Sequence, residues 1–167
     1  MKIVAWDESA HKEVTLAEAN FKNGGFTIKL PQTVDAKFLE KIGNDMPKQI
    51  SVSNKNAQTL CISSFDGFDS SDRKVASFYC EKGQGNNYSC MNWFYTDSDL
   101  TISGSYTRTG RNNNGETEYT ETYSLVFKKG WNIMYEVGLE TKQGNKYIEK
   151  YEATSNAVLG LKWIGEE

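Results

Sequence analysis

The sequence predicts an all-β domain, an antiparallel two-sheet β-sandwich of immunoglobulin-like layout. Three observations carry that expectation. Short runs of Thr, Tyr, Phe, Val and Ile alternate with polar residues at period two, the pattern of half-buried strands. Gly and Asn punctuate the runs, while Pro stands only at 31 and 47. The runs recur along the whole chain at spacings typical of sandwiches and barrels. A closed β-barrel of lipocalin type is the alternative, because both architectures share this alternation.

Near the N-terminus, Glu13 to Ala17 and Gly25 to Leu30 read as strands. Asp35 to Ile42 is the one helical stretch, with Asp35 placed to cap it. Four strands follow: Ala57 to Phe65, Lys74 to Glu81, Tyr88 to Thr96 and Leu100 to Thr107. The third should put Trp93 and Tyr95 on one face and Phe94 on the other, so both faces need cover. Arg108 to Gly115 reads as a polar loop closing in Asn-Gly, a hairpin signal.

The C-terminal part reads as a hairpin. Tyr119, Glu121, Tyr123, Leu125 and Phe127 alternate along one strand. Lys128-Lys129-Gly130 supplies a turn with Gly at a positive-φ position. Trp131, Ile133, Tyr135, Val137 and Leu139 then alternate along the return strand, so Phe127 should meet Trp131 and Leu125 should meet Ile133. After a turn at Thr141 to Asn145, the polar strand Lys146 to Ala153 is expected near an edge. Val158 to Ile164 closes the chain, with Leu159, Leu161 and Trp163 on one side.

The 167 residues make one domain, 1–167, with no linker or internal repeat. Hydrophobic residues are few, but 4 Trp, 9 Tyr and 8 Phe can fill a core. The net charge of -3 leaves no basic excess to neutralise phosphates, so nucleic acid is not an expected partner. No apolar run reaches the roughly 18 residues of a membrane-spanning helix, so no transmembrane segment is expected. Met1 to Trp6 is too short for a signal peptide, which leaves a cytoplasmic protein or a mature exported domain.

The cysteines lean toward export. Cys80 and Cys90 flank a turn-rich stretch, and a hairpin symmetric about Gly85 would set them opposite each other as a cross-strand disulfide. Cys61 is then the odd one out. The alternative is three buried free thiols.

Four stretches taken together resemble small cell-envelope proteins of Bacteroides-type bacteria. They are Asn23 to Leu39 (NGGFTIKLPQTVDAKFL), Leu100 to Tyr106 (LTISGSY), Ser124 to Val137 (SLVFKKGWNIMYEV) and Leu161-Lys162-Trp163. The resemblance implies an exported, lipoprotein-like β-sandwich and carries no functional residues with it.

Candidate chemistry is sparse. The single histidine, His11, stands in a polar segment, and no Gly-x-Ser-x-Gly elbow accompanies it. Glu116, Glu118, Glu121, Glu136, Glu149 and Glu152 could pair across a sugar, yet such pairs are common on solvated strand faces. No enzyme activity is therefore expected. Asp66, Asp69 and Asp72 form an oxygen-rich run that suits Ca²⁺, although the spacing is not that of an EF-hand; the alternative is a solvated loop with Asx-turns. No other cofactor is expected. Trp93, Tyr95 and Tyr119 are the candidate ligand-binding aromatics, set against the core's own need for rings. The expected role is a non-catalytic cell-surface domain that binds a glycan or a protein. The alternatives are a lipocalin-like carrier of a small apolar ligand and a structural or adhesive envelope module.

Overall fold

The structure is a computed structural model describing residues 1–7, 11–23, 25–42, 46–84, 87–112 and 115–166. It is all-β. The strands are β1 (Lys2–Asp7), β2 (Lys12–Glu18), β3 (Glu40–Lys41), β4 (Ser51–Val52), β5 (Gln58–Ile62), β6 (Ser64–Phe68), β7 (Lys74–Gln84), β8 (Asn87–Thr96), β9 (Leu100–Asn112), β10 (Gly115–Phe127), β11 (Gly130–Gln143), β12 (Lys146–Thr154) and β13 (Lys162–Glu166). The expected helix shrinks to a 3-10 turn at Ala36–Phe38. Asp35 does cap it, accepting from the Lys37 N–H at 3.1 Å. Leu39 is already extended, because a single turn cannot repay helix nucleation once Phe38 is anchored in the core.

All the described strands belong to one hydrogen-bonded sheet that does not close on itself. Its path runs β2-β1-β6-β7-β8-β11-β12-β10-β9-β4, with β13 on β7, and with β5 joining β8 to β3. The path pivots on a three-way junction. Ser77 pairs with Asp66 of β6 and with Glu166 of β13, while Glu81 pairs with Cys90 of β8 and Lys162 of β13. β13 therefore holds one edge of β7, and β6 and β8 share the other in succession. Likewise β11 holds one edge of β8, and β7 and β5 share the other. Ala57 to Phe65, expected as one strand, breaks at Ser63 so that β5 can pair with β8 and β6 with β7.

The C-terminal hairpin does not form as the sequence suggests. β10 pairs with β9 and, in parallel, with β12; β11 pairs with β8 and β12. The polar strand β12 thus lies inside the sheet, between β10 and β11, instead of near an edge. It ends at Thr154, opposite both Ser124 and Tyr135, and the chain crosses past that end from Phe127 to Gly130. Gly130 does take positive φ there. The Asp99 carboxylate holds the corner, accepting from the Lys129 N–H at 3.0 Å and from Lys128 Nζ at 2.7 Å. Inserting β12 gives both of its edges partners, which a hairpin of β10 on β11 would deny it.

Other boundaries moved for local reasons. Arg108 to Asn112 extends β9 instead of looping, and the hairpin to β10 pairs Asn112 with Gly115. Gly25 to Leu30 makes a bridge to Lys22 but no ladder, although Phe26, Ile28 and Leu30 still alternate toward the core. Gly160 turns at φ 81, so Leu159 is exposed and β13 begins only at Lys162. Met1 to Trp6, read in the sequence only as too short for a signal, lies largely in strand β1 (Lys2–Asp7).

β8 separates two apolar regions, as its alternation requires. Phe94 stacks on Phe127 with centroids 4.5 Å apart, in a core with Leu100, Ile102, Leu125 and Met134. Tyr95 packs on the other face beside Trp131, and Trp93 lies further along that face. Each buried ring or aliphatic chain of this kind contributes roughly 1.5–3 kcal/mol.

Candidate functional site

The junction leaves a pocket on the Trp93 face of the sheet. β6 and β7 set Phe65 directly across from Phe78, and these rings stack at 5.3 Å. β13 sets Trp163 across from Cys80 and Gly165 across from Phe78. A Cβ on Gly165 would come within 2.9 Å of the Phe78 ring, so glycine there lets the ring lie against the strand. Trp163 reaches across to Trp93, stacking at 5.7 Å with the planes 23° apart, and packs on Phe65 at 4.9 Å. The irregular chain before the 3-10 turn supplies the opposite wall with Phe26, Ile28 and Leu30. The cavity between them is about 550 Å³, within the range of pockets that hold small organic molecules. Phe21, 63% exposed, and Trp163, 51% exposed, stand at its rim. None of its lining side chains is titratable.

The three aromatics singled out in the sequence do not converge. Trp93 lines this pocket. Tyr95 shares its face but is 4% exposed and packs edge-on against Trp131, whose indole N–H donates to the Pro31 carbonyl at 2.8 Å. Tyr119 lies on the other face of the sheet, with the Arg108 guanidinium 4.6 Å over its ring. Trp163, Phe26, Phe65 and Phe78 were not singled out. Their signal is weak in sequence, since each belongs to a different element and only the junction gathers them.

The three aspartates are also separated in role. Asp66, in β6, is 3% exposed, accepts from the Ser77 hydroxyl at 2.8 Å and pairs with Lys74 Nζ at 3.0 Å. The Asp66 hydrogen bond raises the Lys74 ammonium above its usual range. Asp69 caps its own turn, accepting from the Ser71 and Arg73 N–H groups and from the Arg73 guanidinium. These bonds, from Arg73 first, hold its carboxyl below the usual range. Asp72, at φ 58, is bonded to Lys2 Nζ. The Asx-turn alternative thus describes Asp69, and among the described residues no group of three His, Cys, Asp or Glu side chains gathers to hold a metal.

The expected disulfide is corrected by register. Gln84 pairs with Asn87, so Cys80 faces Met91 and Cys90 faces Glu81; the pairing is one residue out of step with symmetry about Gly85, itself outside the described residues. All three cysteines are free thiols. Cys61 is exposed rather than buried.

His11 is exposed in the turn before β2. Three of the glutamates engage other side chains. Glu118 pairs with Lys146 at 2.7 Å, Glu121 accepts from the Tyr123 hydroxyl at 3.0 Å, and Glu136 accepts from the Cys90 thiol at 3.7 Å.

No described helix is long and apolar enough to cross a membrane. No protein-family model matches the chain, and neither the curated proteins nor the solved structures give a match.

Proposed function

We propose that the domain is a non-catalytic binding module that holds an apolar, ring-bearing small molecule in the pocket between Trp93 and Trp163. The observation that carries this reading is the lining itself: stacked indoles and phenyl rings around about 550 Å³, with no titratable side chain. A sugar would bring hydroxyl groups into that lining, and each one buried without a partner costs about 1–3 kcal/mol. The pocket chemistry therefore favours the apolar-ligand alternative over a glycan. The open path of strand pairings supports a layered, sandwich-like arrangement over a closed barrel. The exported, envelope setting belongs to the same proposal and rests on the resemblance of the four sequence stretches alone.

The test is a titration of the domain with N-phenyl-1-naphthylamine, a neutral apolar ring compound, beside a glycan panel in a thermal-shift assay. Saturable binding is expected, with about 2.7 kcal/mol of stabilisation at a hundred times the Kd. Trp163→Ala should weaken it, because one wall of the stack is lost. A glycan response with no response to the naphthylamine would transfer the site to sugars. Binding indifferent to Trp163→Ala would remove this pocket as the site.

A further inference from the structure

The opposite face of the sheet carries a second, smaller cavity of different chemistry. Strand alternation places Tyr88 of β8, Gly138 of β11, Tyr151 of β12 and Tyr119 of β10 on the same face as Phe94. Around Phe94 and Phe127 that face is filled by the apolar core. Toward Tyr88 it turns to tyrosines and carboxylates. A cavity of about 140 Å³ opens there, lined by Tyr88, Tyr119, Tyr151 and Glu149. That is too small for a drug-sized ligand, which needs roughly 300 Å³ or more. Lys150 also borders it, but alternation sends its side chain to the other face.

The rings are held in place. Tyr88 lies against the Gly138 backbone, where a Cβ would stand 2.3 Å from its ring. Tyr151 packs edge-on to Tyr123 at 6.1 Å, with the Glu136 carboxylate close enough to act on its phenol. Burial, with Glu136 beside Tyr88 and Tyr151 and Glu121 beside Tyr119, raises all three phenols, so the rings stay neutral. Glu121, Glu136, Glu140 and Glu149 share this face with Arg108 and Lys142, a net negative field. Both of those cations already sit over tyrosine rings, Arg108 over Tyr119 at 4.6 Å and Lys142 over Tyr147 at 4.8 Å. Among the described residues Glu149 makes no hydrogen bond or ion pair.

We propose that this cavity is a binding site for a trimethylammonium headgroup. Electron-rich ring faces attract such a cation, and a nearby carboxylate adds to the attraction. The methylated nitrogen carries no N–H, so a wall of rings leaves none of its donors unsatisfied, whereas a primary ammonium would lose its hydrogen bonds there. The site is independent of the Trp93–Trp163 pocket, which lies on the other face.

Calorimetric titration of the whole domain with choline, and with its neutral isostere 3,3-dimethylbutan-1-ol, tests the proposal. Choline should bind saturably and the isostere should not. Tyr119→Leu should weaken choline between about twofold and thirtyfold, while Tyr119→Phe, which keeps the ring, should bind like the parent. Gly138→Ala, by displacing the Tyr88 ring, should weaken it as well, and Trp163→Ala should leave it unchanged. Co-sedimentation with phosphatidylcholine vesicles that Tyr119→Leu abolishes would place the headgroup on a lipid; choline binding without co-sedimentation would place it on a free solute. Equal binding of the isostere, no choline binding, or binding indifferent to Tyr119→Leu in a variant that melts like the parent would overturn the proposal.

Discussion

Cys80 and Cys90 point to opposite faces of one sheet. Cys80 shares its face with Met91 and Trp163, and Cys90 shares the other with Glu81 and Glu136. Their sulfurs cannot meet without moving the β7–β8 register by one residue, and such a slip would turn every side chain of one strand to the wrong face.

Alkylation of the protein unfolded without reductant should therefore label three cysteines, read as mass added. A product carrying a single label, with peptide mapping that joins Cys80 to Cys90, would mean that the strands pair in the other register. Adding reductant to the folded protein should leave its unfolding midpoint unchanged.

Alkaline pH should destabilise the fold from about pH 9 upward. Burial first, and then the Glu136 carboxylate, push the Cys90 thiol from its ordinary 9.0 up to about 12. Burial also raises the Tyr123 and Tyr151 phenols above their usual 10.0. In this window the folded state keeps protons that the unfolded chain releases, so stability falls as pH rises. It is fully present below about pH 9 and is lost progressively toward pH 12. Urea midpoints at several pH values should show the decline, and Cys90→Ser should lessen its earliest part, which the raised Cys61 and Cys80 thiols share. A midpoint flat from pH 9 to 11 would contradict the buried thiol.

Asn92 should be replaceable at a gain. It is 3% exposed, and among the described residues its Oδ1 has no hydrogen-bond donor and its amide reaches only the Cys90 sulfur at 4.0 Å. An unpaired buried polar group costs about 1–3 kcal/mol, and an apolar side chain of the same shape avoids that cost. Asn92→Leu is accordingly expected to raise the urea midpoint without changing the slope. A loss of stability would show that the amide has a donor in solution.

Local pattern sufficed where the answer was local. The alternation of Trp93, Phe94 and Tyr95 assigned each ring to its face, and Phe94 and Tyr95 are found in separate cores. Asn-Gly marked the β9–β10 hairpin, and Asp35 marked its cap. The alternation of Tyr119 to Phe127 placed all five side chains on one face.

By itself, then, the sequence determined that the chain is all-β, which side chains share a face, and where several turns fall, because these follow from the period of the backbone and the φ that glycine allows. Tertiary structure alone decided which strands are neighbours. Backbone edges offer the same N–H and C=O groups whatever the side chains, so nothing local told β10 to choose β12 over β11, or β7 to divide one edge between β6 and β8. Both candidate sites lie downstream of those choices. The junction gathers Phe65, Phe78, Trp93 and Trp163 into one pocket. The insertion of β12 brings Tyr151 and Glu149 between Tyr119 and Tyr88 on the other face.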